Sequence, residues 1–311
     1  MINDELNWFA MALQLRGSVA PIIFPRVLLC GGFGFLISLF YYWGLPVSEN
    51  SLASLVTNVV YNLVLGLLLV FRTNTAYDRF WEGRKSWGIL VVNVRNLARQ
   101  IRVAIATTEL IDKDNKDSTL RLLGAFAIAT KLQLRQEPIS ELEDIITPSQ
   151  SLKLKSVKNP PLEVALWIGD YLQQQYNRNL LSSNQLIAMN ELLDKMVEAL
   201  TGCERIVKTP IPLAYSIYLK RLLLIYCFLL PFQLVAKSGW WTGIIVILLS
   251  FVLFGIEQIG NEIENPFGHD TNDLPLDEIC SSMIQNIEDL IIDKPQEAEV
   301  LSANVSVQDI A

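Results

Sequence analysis

Between residues 257 and 278 the chain reads EQIGNEIENPFGHDTNDLPLDE, a stretch crowded with carboxylates at Glu257, Glu262, Glu264, Asp270, Asp273, Asp277 and Glu278. Clustered carboxylate and carbonyl oxygens suit a hard cation such as Ca²⁺, so Asp270 and Asp273 are candidate ligands. The spacing is not that of an EF-hand loop, because the glycine and the closing glutamate fall in the wrong places. Structural capping is the stronger reading: a turn at Asn265-Pro266-Phe267-Gly268, then Asp273 or Asp277 as N-cap of the next helix. His269 is the only histidine, so a His-rich metal site is excluded. Cys30, Cys203, Cys227 and Cys280 are far apart with no CxxC, against a zinc ribbon or disulfide framework. There is no Gly-rich phosphate loop after a strand, and Ser, Cys and His form no nucleophile–base set. Nothing in these residues asks for an enzyme or a cofactor.

A second pattern concerns ions rather than bonds. Ser54, Asn58 and Asn62 recur every four residues within SLASLVTNVVYNLVLGLLLVF (51–71), as do Leu63, Leu67 and Phe71. Each series makes one stripe on a helix. In a lone bundle the polar stripe hydrogen-bonds a neighbouring helix, which is what periodicity alone favours. If several copies ring an axis, Asn58 and Asn62 flank a narrow apolar constriction that gates by dewetting. The segment carries no Asp, Glu, Lys or Arg, which disfavours a charged selectivity ring or proton relay within it.

The elements that must hold these residues are set by composition. The chain has 311 residues, 51% hydrophobic and 18% charged, with a mean hydropathy of +0.33. Its net charge of −7 argues against nucleic acid as a partner. A bilayer-spanning helix needs about 20 mostly apolar residues. Four stretches fit or nearly fit: 27–43, 51–71, 222–236 and 240–256. Tyr41, Tyr42, Trp43, Trp240 and Trp241 are placed as interfacial anchors, with Trp8 before the first span. Of 25 Lys and Arg, only Lys237 falls in the presumed outer loops, 44–50 and 237–239. Arg16, Arg26, Arg72, Arg79, Arg84, Lys85, Lys208, Lys220 and Arg221 flank the other ends, so both termini and the middle are expected in the cytoplasm.

The expected fold class is all-α. Residues 1–71 hold an interfacial helix, with Trp8, Phe9, Ala12 and Leu13 on one face, and the first two spans. Residues 72–210 form a cytoplasmic helical domain, with helices near 76–106, 118–135, 161–176 and 183–201 and a loop at Pro148–Pro161. Trp81 and Trp87 are expected to pack within it. Residues 211–258 hold the third and fourth spans, 259–293 a turn and a helix from about Leu276 to Ile292, and 294–311 a flexible tail.

Four phrases together resemble one family. FRTNTAYDRFWEGRKSWG (71–88), RGSVAPIIFPRVLL (16–29), TPIPLAY (209–215) and ENPFGHDTNDLPLDEI (264–279) are similar, in order, to segments of bacterial bestrophin homologues. The resemblance covers about residues 8 to 292. It implies a homopentameric ion channel in the lipid bilayer with its pore on the fivefold axis. The family's apolar neck carries over to Leu63, Leu67 and Phe71, and its cytoplasmic aperture to Ile211. Eukaryotic relatives bind Ca²⁺ through consecutive acids after NPFG. Here the run is broken as His269-Asp270-Thr271-Asn272-Asp273, and homologues with this form are not expected to depend on calcium. Eukaryotic and plant relatives pass chloride and similar anions, whereas a bacterial branch favours monovalent cations. Phenyl edges carry partial positive charge, so an edge-on ring of Phe71 favours anions. The expectation is a passive channel for chloride or similar inorganic anions; the alternatives are a sodium or potassium channel of the same fold and a non-conducting scaffold.

Overall fold

The computed structural model describes residue 10 and residues 13–47, 56–106 and 110–292. It is helical throughout these residues and divides into two compact units: residues 1–82 with 208–273, and residues 83–207 with 274–311. The expected interfacial helix (Trp8, Phe9, Ala12), Ser54 and the tail 294–311 lie outside the described residues. Leu13, from the same expected face, is exposed.

The first unit contains α1 (Ala20–Tyr42), the start of α2 (Val59–Ala104), α7 (Leu213–Ser238) and α8 (Thr242–Glu264). Among the described residues, three stretches are long and apolar enough to cross a membrane: Ala20–Tyr42, Val59–Ala104 and Leu213–Glu264. The last holds α7 and α8, joined by a single 3-10 turn at Gly239–Trp241. Helix α1 runs antiparallel to α8, since Ile23 lies by Gly255, Gly31 by Ile247, Gly34 by Gly243, and Ser38 by Gly239. Glycine permits this approach. A Cβ on Gly34 would sit 3.1 Å from the Gly243 Cα, and one on Gly243 would lie 2.6 Å from Phe35. Small residues let helix backbones close in where lipid supplies no hydrophobic drive between helices. Ser38 Oγ donates within this seam, to the Gly34 and Gly239 carbonyls at 3.0 Å each.

Aromatic rings gather at one end of this unit and charge at the other. Tyr42 stacks on Trp240 with centroids 4.8 Å apart, and Trp43 and Trp241 are exposed beside them. Toward the opposite ends of the same helices lie Arg26, Lys220, Glu257 and Glu264, with Arg72 of α2 bonded to Glu264. Helix α7 begins before the apolar run expected at 222–236, so Lys220 and Arg221 are helical rather than flanking.

The second unit is built around α3 (Leu110–Arg135), which is buried nearly all round from Leu120 to Leu132. Around it are the rest of α2, α4 (Pro148–Ser156), α5 (Pro160–Asn177), α6 (Ser183–Lys208, up to Val207) and α9 (Leu276–Ile291). Lys116 Nζ reaches the Arg102 and Ile105 carbonyls at 2.9 and 2.6 Å, satisfying acceptors left open where α2 ends. The expected loop at Pro148–Pro161 is corrected: residues 148–156 are helical. A capping box explains it, with Thr147 and Gln150 bonding each other's backbone amides and Pro148 in the first turn, where its missing N–H costs nothing. The helix expected at 76–106 is continuous with the second span, and those expected at 118 and 201 extend to Leu110 and Lys208. Trp87 is fully buried as expected. Trp81 is not; it is 48% exposed.

Candidate ion pathway

Of the residues expected to line a pathway, Asn62, Leu63, Leu67 and Phe71 sit on α2. Asn58 stands just before the helix, where its Oδ1 accepts from the Val60 and Tyr61 amides at 2.8 and 3.3 Å, an N-cap geometry. Asn62 Nδ2 donates to the Val56 carbonyl at 2.8 Å. Both expected pore-flanking amides are thus tied to local backbone at the helix entrance. Further along, Leu65, Leu69, Arg72 and Ala76 are buried, one narrow face turned to the rest of the unit. Tyr61 and Tyr215 fasten that face to α7, donating to the Leu222 carbonyl at 3.0 Å and the Leu68 carbonyl at 2.7 Å.

Leu63, Leu67 and Phe71 lie off that face, exposed by 60%, 45% and 59%. Val59, Val60, Val64 and Val70 are exposed with them. A helix that leaves so much apolar surface outside its own fold needs lipid or further copies of the chain against it. The stripe is unbroken by charge until Arg72, whose side chain turns inward and is 2% exposed.

Arg72 opens a polar cluster at the foot of the first unit. One of its amino groups donates to Asn261 Oδ1 at 2.6 Å and to Glu264 Oε2 at 2.8 Å. Glu264 Oε1 accepts from the Ile211 amide at 2.9 Å. Arg79 donates to the Glu264 carbonyl at 3.2 Å and to the Thr209 carbonyl. Ile211 itself is half-buried before Pro212. Its amide is therefore fixed to the carboxylate that holds Arg72, the residue directly after Phe71.

The acid-rich turn belongs to the same unit up to Asp273. Asp273 Oδ2 accepts from the Asp270 amide at 2.7 Å, closing the turn, and Asn272 bridges Glu262 at 2.8 Å and the Gly17 carbonyl at 3.4 Å. His269 and Asp270 are on the surface. Among the described residues, no three His, Cys, Asp or Glu gather to hold a metal ion. The expected capping of the last helix is corrected too. Pro275 precedes α9 and no side chain caps it. In the second unit Asp277 instead pairs with Lys131 at 2.8 Å and Arg135 at 2.9 Å, and Lys131 also meets Glu141 at 2.8 Å. Hydrogen bonds from Lys131 and Arg135 hold the Asp277 carboxyl down to about 2. Burial pushes the Lys131 ammonium down as well, but its bonds to Asp277 and Glu141 outweigh this and leave it above the usual lysine value.

Comparison with known proteins decides the family. The profile described as "Bacterial/Fungal Bestrophin protein" matches residues 1–289. The chain is a bestrophin. It is 62% identical over 291 residues to a voltage-dependent anion channel-forming protein of Nostoc sp., covering 93% of this chain and 94% of that one. It is 31% identical over 303 residues to the protein of the same description from Escherichia coli K12, YneE, covering 96% and 95%. Among solved structures it resembles a bacterial bestrophin homologue from Klebsiella pneumoniae, with a TM-score of 0.78 and 27% identity over 86% of this chain and 98% of that one. The bestrophin phrases noted in the sequence converge in one place. Arg72, Arg79, Thr209, Ile211 and Glu264 are linked by the hydrogen bonds of the foot cluster, and Gly17 and Asn272 by a separate bond in the acid-rich turn. Glu264 was not singled out as a site residue, although its place at the head of ENPFGHD was a usable signal.

Proposed function

We propose that this protein is a voltage-dependent channel passing chloride and similar monovalent anions down their gradient, assembled from five copies around a central pore. Each copy contributes α1, the apolar part of α2, α7 and α8 as four spans, with both termini, residues 72–210 and the segment after α8 in the cytoplasm. The aromatic end at Tyr42 and Trp240 marks the outer boundary.

The carrying observation is the Leu63–Leu67–Phe71 stripe, uncharged and left uncovered by its own chain. Five such stripes facing one another make a neck that a hydrated ion crosses only by shedding water. Large, weakly hydrated ions therefore pass most readily, and dewetting closes the neck. Asn58 and Asn62 mark its wide mouth. Ile211, fixed by Glu264, is the cytoplasmic aperture. The turn at Asp270 and Asp273 serves structure, and calcium is not required.

Liposome flux tests the reading. With a proton ionophore present to balance charge, vesicles loaded with sodium chloride and containing the protein release chloride and retain sodium; sodium release would assign the alternative cation channel, and release of neither would assign a scaffold.

A further inference from the structure

Away from α2, the first unit holds a cavity of about 380 Å³ between α1, α7 and α8. Its apolar walls are Leu29, Cys30, Leu223, Leu224 and Phe254. Three charged residues complete the lining, and each sits three positions from a wall residue on the same helix: Arg26 before Leu29, Lys220 before Leu223, and Glu257 after Phe254. Because α8 runs against α1, as the Ile23–Gly255 and Gly34–Gly243 approaches show, these offsets put all three charges on one level, one turn nearer the charged end than the walls.

The charges do not cancel. Glu257 is buried, with its side chain 3% exposed, and takes a hydrogen bond from Asn261 at 2.7 Å. It lies 3.9 Å from Arg26 and 3.8 Å from Lys220, too far for ordinary hydrogen bonds. Both cations are half exposed, at 51% and 55%. One carboxylate between two cations leaves an excess positive charge facing outward at the rim of an apolar slot. The volume falls in the range of small-molecule sites.

We propose that this cavity takes an acyl chain of an anionic phospholipid from the cytoplasmic leaflet, with the headgroup phosphate held by Arg26 and Lys220. The apolar walls beyond the charged level give a chain attached to the anion something to bury against, which a free inorganic anion lacks. Glu257 spaces the two cations without neutralising both. The choice of leaflet rests on the orientation proposed above.

The test is native mass spectrometry of the full chain taken from vesicles of equimolar phosphatidylglycerol and phosphatidylcholine, with chloride flux measured on the same vesicles. Retained phosphatidylglycerol should exceed phosphatidylcholine by about fivefold for each engaged cation. The Arg26→Gln/Lys220→Gln variant should retain both equally, while Arg26→Lys/Lys220→Arg keeps the preference. Leu29→Trp, a substitution at an exposed wall residue, should reduce retention of both. Added inorganic phosphate should leave the adducts intact. Equal retention of both lipids by the unaltered chain would overturn the proposal. So would displacement by equimolar dodecanoate, which would make the ligand a free fatty acid, or loss of all adducts on phosphate addition. Absence of adducts from either lipid, as when a second copy covers the slot, would overturn it too. Flux without lipid preference would leave the channel standing and remove the lipid site; preference without flux would do the reverse.

Discussion

Arg72 and Glu264 meet at 2.8 Å, the arginine almost wholly buried and the glutamate also holding the Ile211 amide. The pair stands one residue beyond Phe71 and so ties the end of the stripe to the end of α8.

Removing the charge of Glu264 therefore leaves a buried guanidinium with neutral acceptors alone and no counter-charge in the pair. Glu264→Gln should destabilise the protein by about 3–5 kcal/mol, the cost of breaking a buried pair from one side. Size-exclusion profiles after stepwise heating in mild detergent would read this. A variant as heat-stable as the unaltered chain would show that the pair contributes little.

The α1–α8 seam makes a position-specific prediction. Gly243→Val puts a side chain into the Phe35 ring and should cost about 1–3 kcal/mol. At Gly32, on the same pair of helices, an added Cβ meets nothing within 4 Å, so Gly32→Val should be tolerated. The two variants compared by thermal unfolding in detergent should differ; equal behaviour would refute the close packing.

Asp277 gives an acid limit to the second unit. Its carboxyl sits near 2 in the fold against 3.8 ordinarily, so its contribution to stability is present above about pH 4 and lost as pH falls toward 2. The side chain is 63% exposed, and screening reduces the gain to about 1 kcal/mol. Asp277→Asn should lower stability at neutral pH and converge with the unaltered protein near pH 2, as measured by denaturant unfolding. A constant gap down to pH 2 would contradict this.

The turn separates two neighbouring acids. Asp273 accepts the bond that Asp270 donates through its backbone amide, so Asp273→Ala should cost about 1 kcal/mol and Asp270→Ala about 0.5 kcal/mol or less. Neither change should alter currents in a calcium-dependent way. A chelator that changes the current of the unaltered protein, but not of these variants, would establish a calcium site instead.

Much of this was legible because lipid enforces simple rules. Long uncharged runs, with the Tyr41–Trp43 and Trp240–Trp241 aromatics at their ends, locate the apolar helices from composition alone. The stripe of Leu63, Leu67 and Phe71 was visible as spacing, but spacing alone favours ordinary packing, and only family likeness points to a pore. The helix at 148–156 was hidden by a Ser- and Lys-rich composition, whereas its Thr147–Gln150 box was a readable local signal. Asp277 was misread as a cap because its partners, Lys131 and Arg135, lie more than 140 residues earlier. The slot beneath Leu29 was invisible for the same reason: Arg26, Lys220 and Glu257 become neighbours only when three helices pack.

The central claim concerns what the Leu63 side of α2 faces, and reversal potentials in planar bilayers address it most directly. With sodium chloride at unequal concentrations, the unaltered protein should reverse near the chloride equilibrium potential, and Leu67→Ala should raise the current or weaken its closure. Reversal near the sodium potential would contradict anion passage. Unchanged currents in Leu67→Ala, Leu63→Ala and Phe71→Ala alike would take the stripe out of the pore.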